Sequence, residues 1–422
     1  MSQKPSHHTP TGFRNPWHSA LPPSWSEALS NPLPLEWAKA YLKIHPEIED
    51  LKVMTPDWGV GKGGTDSLRA TWFGHATVFV EMPSVPTGPS SDHTAKILFD
   101  PIFSSRAGPT QYTGPRRILP APCQVKDLPG CDIVCISHNH YDHLDFSSIL
   151  DIQKQFPAVQ YFVPLGIRAW FTGAGIPGSQ VTEMDWWDST NHPQAESTAA
   201  EDPNSSLGSH LRITCVPAQH NTGRGAGDYG KTLWCGWIIE QKVGTPPTEG
   251  SSDGTRRGAV YFAGDTGYRR YSHSTEVCPI FKEIGEKFGP LDLSFIPIWR
   301  GGTLGFLSWA GLRLTHETVP SAFHASPSDA VSIHFDVRSN ISLGIHFGTF
   351  VGATQETLEA LVELKRACDD TGVPNLHYQD DGEEGEGESG ETKDLTKGRM
   401  GTINLGETWV GPVIERSWTE LV

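Results

Sequence analysis

The 422-residue chain has no uninterrupted apolar run of about 18 residues, the length a bilayer-crossing helix needs. Its first residues, MSQKPSHHTPTGFRNPW, carry no apolar signal core. Positive charge is in short supply, with 33 Lys+Arg against 49 Asp+Glu and a formal charge of −16. That balance argues against a nucleic-acid-coating surface and does not suggest a polybasic membrane anchor. Cysteine is sparse and odd in number: Cys123, Cys131, Cys135, Cys215, Cys235, Cys278 and Cys368 include no CxxC pair. A dense disulfide framework is thereby excluded, and free thiols in a reducing, cytoplasmic compartment are expected. No internal repeat is present.

What the chain does have is apolar content sufficient for a globular fold, 37% hydrophobic with 14 Trp. Residues 1–65 are rich in Pro, Trp and polar residues and read as an arm wrapping the remainder, with one short helix expected around Pro34 to Lys43. By length, residues 66–422 could hold one elaborate domain or more than one, and one is expected. Its β-like runs are Ala70 to Glu81, Lys96 to Phe99, Asp132 to Ile136, Tyr161 to Val163, Leu211 to Val216, Thr232 to Glu240, Ala259 to Ala263, Leu293 to Pro297 and Ser342 to His346. Helices are expected at Phe146 to Phe156, Thr275 to Phe288, Ser326 to Asp336 and Gln355 to Thr371. Two groups of strands with interspersed helices indicate an α/β (α+β) class, two sheets with helices outside. Polar stretches near 83–94, 193–210 and 244–258, and an acidic Gly-rich stretch near 380–398, read as surface insertions.

The stretch SHNHYDHLD, Ser137 to Asp145, packs three histidines and two aspartates into nine residues directly after an apolar run. No regular helix or strand would turn His138, His140, Asp142 and His143 toward one point, but a loop leaving a strand end can. Asp145 is placed to cap the helix that follows. Imidazole and carboxylate donors without thiolate suit Zn²⁺, with Fe or Mn not excluded. Four neighbouring donors cannot complete two metal sites, so further His or Asp are expected at other strand ends. His220 closes ITCVPAQH, Asp265 closes AVYFAGD, and His346 closes ISLGIH; each precedes a turn.

This ordered set resembles the metallo-β-lactamase superfamily, which implies an αββα sandwich of two mixed sheets with a binuclear centre between them. By that resemblance His138, His140 and His220 hold one metal, Asp142, His143 and His346 the other, and Asp265 bridges. A narrower similarity, to the N-acylphosphatidylethanolamine-hydrolysing phospholipase D family, rests on several blocks. These are Arg14-Asn15-Pro16-Trp17, Trp72 to Ala76, Phe99 to Ser104, Gly114 to Arg117, the histidine loop, Phe262 to Tyr268 and His346 to Phe350. The chain departs from that family at Trp299-Arg300-Gly301-Gly302-Thr303-Leu304, a segment expected to face substrate.

Two bound Zn²⁺ imply a metal-bridging hydroxide that attacks a phosphodiester. The resemblance makes the substrate an N-acylphosphatidylethanolamine and the products phosphatidate and an N-acylethanolamine. A related hydrolase of another ester, lactone or phosphodiester is the alternative. A non-catalytic metal-stabilised scaffold would have no need of seven metal-directed side chains. Asp142 and Asp265 are expected to act in catalysis, and His334 resembles a family histidine that could contact phosphate. Asp100 and His75 are expected to support the ligands from behind. Arg106, Arg116, Arg117, Tyr268, Trp299 and Arg300 are expected to meet substrate, the arginines through bidentate phosphate contacts. A lipid substrate implies peripheral membrane contact through the Trp-rich arm or Trp299 to Trp309, and a homodimer is compatible with the sequence. His7, His8, His18, His93 and His192 lie in polar segments without partner spacing and receive no role.

Overall fold

The computed structural model describes residues 5–21, 35–37, 51–88, 91–193, 209–225, 227–243, 255–271, 274–299, 312–314, 322–350, 354–376, 397–414 and 416–417. Two large sheets form its centre. The first takes β1 (Ser67–Trp72), β2 (Val78–Glu81), β3 (Lys96–Phe99), β4 (Ile133–Cys135), β5 (Gln160–Pro164) and β6 (Val181–Met184). The second takes β7 (Ser189–Pro193), β8 (Ser209–Val216), β9 (Gly236–Val243), β10 (Thr255–Phe262), β11 (Leu291–Pro297), β12 (Ser339–Ile345) and β13 (Arg399–Gly401). The chain then returns as β14 (Thr408–Pro412) to the first sheet, whose order is β14-β1-β2-β3-β4-β5-β6. The second runs β7 to β13 in sequence order, with Arg416–Ser417 added beside β10.

Both sheets share one pattern: three antiparallel pairings followed by three parallel ones. The period-2 side-chain alternation of a strand explains the layering. Ile97, Phe99, Ile133 and Cys135 join the core between the sheets, whereas Leu98, Val134 and Ile136 face outward. The outward set packs on Ile149 and Ile152 of α1 (Phe146–Gln155) and on Phe171 of α2 (Arg168–Gly173). Three further helices supply buried apolar residues to the main core: α3 (Ile280–Phe288), α4 (Pro327–Asp336) and α5 (Thr354–Thr371). The sheets meet through stacked Phe99 and Phe262 rings, with centroids 4.6 Å apart.

The sandwich matches the expected class, with local differences. The run Ala70 to Glu81 is two strands, because Gly74 and His75 turn the backbone into the left-handed region (φ 93° and 51°). In place of the helix expected around Pro34 to Lys43, Leu35–Trp37 is a strand paired with Leu312–Leu314, and the flanking residues lie outside the described ones. The insertion near 83–94 contains a small hairpin, Val85–Gly88 with Ser91–His93. The insertions near 193–210, 244–258 and 380–398 lie mostly outside the described residues. Among the described residues no helix is long and apolar enough to cross a membrane.

Candidate metal centre

The metal-directed residues sit where strands end, at one rim of the sandwich. β3 runs into Asp100, β4 into the loop from Ser137 to Asp145, β8 toward His220, β10 toward Asp265 and β12 into His346. His75 lies in the turn between β1 and β2. His75, Asp100 and His346 all take positive φ (51°, 40° and 63°), a region costly for residues with a Cβ. Strain collected at one rim indicates that packing holds these side chains where they are needed. Gly264 sets the approach of Asp265: its φ is 61°, and a Cβ there would stand 2.6 Å from Ser137 Cβ.

The Asp265 carboxylate occupies the middle. Its Oδ2 lies 3.2 Å from His143 Nε2, 3.6 Å from His220 Nε2 and 3.9 Å from His138 Nε2, and its Oδ1 lies 3.0 Å from His346 Nε2. On one side His140 Nδ1 is 2.9 Å from His138 Nε2 and 3.4 Å from His220 Nε2, so three imidazole nitrogens converge. On the other, Asp142, His143, His346 and His75 bring four donor atoms within 4.8 Å of one another. All seven side chains expected as metal ligands are therefore brought together, in two groups flanking Asp265. His75 joins the second group directly, its Nε2 2.9 Å from Asp142 Oδ2.

The surrounding hydrogen bonds fix which nitrogen faces inward. Asp100 is fully buried and accepts from His143 Nδ1 (2.7 Å), Ser137 N (2.7 Å) and Ser137 Oγ (2.5 Å). Ser137 Oγ gives its only proton to Asp100, so toward His138 Nδ1, 2.9 Å away, it can only accept. His220 Nδ1 donates to the Phe323 carbonyl at 2.9 Å. With their outer nitrogens protonated in this way, His138 and His220 turn Nε2 lone pairs toward Asp265, the tautomer a metal requires, and His143 presents its Nε2 to the same carboxylate. The loop is braced from outside as well. Arg224 donates to the carbonyls of Asn139 and Leu144 and lies over Tyr141, while Asn139 Oδ1 accepts from Gly223 N. Asp145 caps α1 by accepting from Ser148 N, as expected.

Protonation follows from burial and these neighbours. Burial pushes His138 and His220 well below the ordinary imidazole range, and takes His75 to about 3 with His346 adding to the effect. Against the penalty of burial, His143 and His346 hold Asp265 well below the usual carboxylate range, and His143 and His75 do the same for Asp142. His143, against its own burial, is raised by Asp265 and Asp142. Charged carboxylates among largely neutral imidazoles form a donor set fitted to divalent cations. The fit is sharpened by His143 Nε2, His346 Nε2 and Asp265 Oδ1, buried atoms that find no hydrogen-bond partner.

Several other expected residues lie elsewhere. His334 is buried in α4 with Nδ1 on Ser342 Oγ (2.7 Å) and Nε2 on the Lys397 carbonyl (2.9 Å), so both nitrogens are committed away from the rim. Arg117 is buried and donates to the carbonyls of Ser104 and Ile102, as a staple rather than a phosphate receptor. Arg106 and Arg116 face each other across a surface bridge, with Arg106 donating to the Gly114 carbonyl. The Tyr268 hydroxyl donates to Asp336 at 2.8 Å, and Trp299 is buried in the main core. Arg300 lies outside the described residues. The sequence reading missed His324, whose Nδ1 stands 3.8 Å from Asp265 Oδ2 and whose ring lies 5.0 Å from His220 and 5.4 Å from His346. Its signal was faint: it ends no apolar run but precedes by two residues the Ser326 cap of α4.

This fold and this rim define a class. Residues 95–347 match the family model described as the beta-lactamase superfamily domain, and the chain belongs to that superfamily in its metal-dependent form. Within it, the chain is 33% identical over 347 residues to N-acyl-phosphatidylethanolamine-hydrolyzing phospholipase D 1 of Caenorhabditis elegans, covering 81% of this chain and 75% of that one. It is 29% identical to the mitochondrial N-acyl-phosphatidylethanolamine-hydrolyzing phospholipase D of Saccharomyces cerevisiae, over 67% of this chain and half of that one. A metallo hydrolase of Ignicoccus hospitalis aligns at 18% identity with a TM-score of 0.41, over 82% of this chain and 98% of that one.

Proposed function

We propose that the chain is a zinc-dependent phosphodiester hydrolase that cleaves N-acylphosphatidylethanolamine to phosphatidate and an N-acylethanolamine. The carrying observation is the pair of donor groups on either side of Asp265, joined with the similarity to the two named phospholipases. Two divalent cations held there would supply a nucleophilic water at neutral pH and stabilise charge developing at phosphorus. The chain's own part is orientation. Asp100 and Ser137 fix His143 and His138, the Phe323 carbonyl fixes His220, and Asp265 keeps the two groups in register. His324, partly exposed at the rim and drawn below the ordinary imidazole range by burial, is suited to hydrogen-bond a phosphoryl oxygen.

Such a substrate lies in a lipid surface, and the rim has side chains suited to meet one. Phe146 and Tyr229 are exposed, the first directly after the metal loop and the second in the segment that braces it. The test is product analysis on Zn²⁺-loaded protein given N-acylphosphatidylethanolamine in mixed micelles, beside a panel of other phospholipids, esters and lactones. Release of N-acylethanolamine and phosphatidate, lost in Asp265→Asn, is the expected result. Turnover of another class without N-acylethanolamine would replace the substrate reading.

A further inference from the structure

His7 and His8 have no partner nearby in sequence, yet the fold supplies one 177 and 178 residues away. Asp185 follows β6 directly, and each of its carboxylate oxygens meets one imidazole: His7 Nε2 at 2.7 Å on Oδ1 and His8 Nε2 at 2.7 Å on Oδ2. The rings are held by packing. His7 lies against Trp186 (centroids 4.1 Å apart, 25° between planes) and near Phe13, while His8 stands edge-on to Phe13 at 5.0 Å. The backbone around them is closed by Arg14 N donating to the His7 carbonyl and Phe13 N donating to the Gly230 carbonyl.

We propose that His7, His8 and Asp185 form a further metal site, separate from the Asp265 centre, for one divalent transition-metal ion such as Zn²⁺, Ni²⁺ or Cu²⁺. Two imidazole nitrogens with a carboxylate and no thiolate select such ions over Mg²⁺ or Ca²⁺, which prefer all-oxygen sites. The three donors already lie within 4.8 Å of one another. Without an ion each ring gives its Nε2 proton to one carboxylate oxygen. On binding, each ring shifts that proton to Nδ1 by exchange with solvent, so both imidazoles stay neutral and both Nε2 lone pairs face the cation. Tetrahedral bonds of about 2.0–2.1 Å place donors about 3.3 Å apart, so the contacts open by well under 1 Å while the stacked rings stay in place. The side chains are 8%, 19% and 21% exposed, so water can complete the coordination. The same segment donates from Asn15 Nδ2 to the His220 carbonyl (2.7 Å) and from Ser19 Oγ to Gln219 (2.6 Å). An ion here therefore fastens the segment that holds the backbone of a rim histidine.

The test uses the full chain, stripped by chelator, reloaded with Zn²⁺, freed of unbound metal by gel filtration and assayed for metal by mass spectrometry. About three ions per chain are expected for the parent, about two for His8→Ala and for Asp185→Asn, and about one for Asp265→Asn. Cu²⁺ added to the Asp265→Asn protein should quench part of its tryptophan fluorescence through Trp186, and the further change His8→Ala should remove that quenching. If His8→Ala and Asp185→Asn both keep the parent's metal content, the proposed site is overturned. If Asp265→Asn alone keeps that content, the reading of the Asp265 centre fails and this site stands.

Discussion

At the scale of the residue, the ligands are only as good as the groups behind them. Asp100 serves two histidines at once, directly at His143 and through Ser137 at His138. Asp100→Asn should lower metal affinity or turnover about 10–100-fold while leaving all seven ligands in place, measurable by chelator competition and steady-state kinetics. His75 gives the acid limb of stability. Its folded value of about 3 lies below the unfolded imidazole at about 6.5, so between those values the unfolded chain binds a proton that the folded chain does not. Stability then rises with pH through that window and is lost as pH falls. The depressed Asp142 and Asp265 act in the same direction further down. The melting temperature should drop steadily from pH 7 to pH 4, and less steeply below about pH 6.5 in His75→Asn. The seven metal-directed side chains that converge on the rim could be read from sequence because each lies in the dense loop or closes an apolar run. His324 and His334 could not be told apart, since both sit at ends of α4 and only packing shows which end meets the rim.

At the scale of the element, turns carry more of the site than strands do. Arg117 donates to the Ile102 and Ser104 carbonyls beyond β3 and lies over the Phe350 ring, which contacts His75. Arg117→Met should cost on the order of 1–3 kcal/mol for each buried carbonyl left without a donor, read by urea denaturation, and should loosen metal binding with it. The interior strands were legible as Val-, Ile- and Phe-rich runs. β6 (VTEM) and β7 (STNHP) were not, because at sheet edges the neighbouring strand, rather than the residues' own apolarity, makes them strands. The expected helix at Pro34 to Lys43 failed for a related reason: Leu35–Trp37 pairs with a strand nearly 280 positions on, a contact no local window contains.

At the scale of the whole molecule, the metal centre is also a structural joint, because its ligands come from both sheets. Removing metal with EDTA should abolish hydrolysis and lower the melting temperature, and Zn²⁺ should restore both. A ligand at 100 to 1,000 times its dissociation constant adds about 2.7–4.1 kcal/mol of stability. The matched strand order of the two sheets has a kinetic consequence. Donors that meet within a few ångströms are spread along the chain from His75 to His346, so no early fragment of structure can assemble them. During refolding, tight metal uptake must wait until the sheets have closed on each other, and its rate becomes a clock for the slowest long-range step in building the protein.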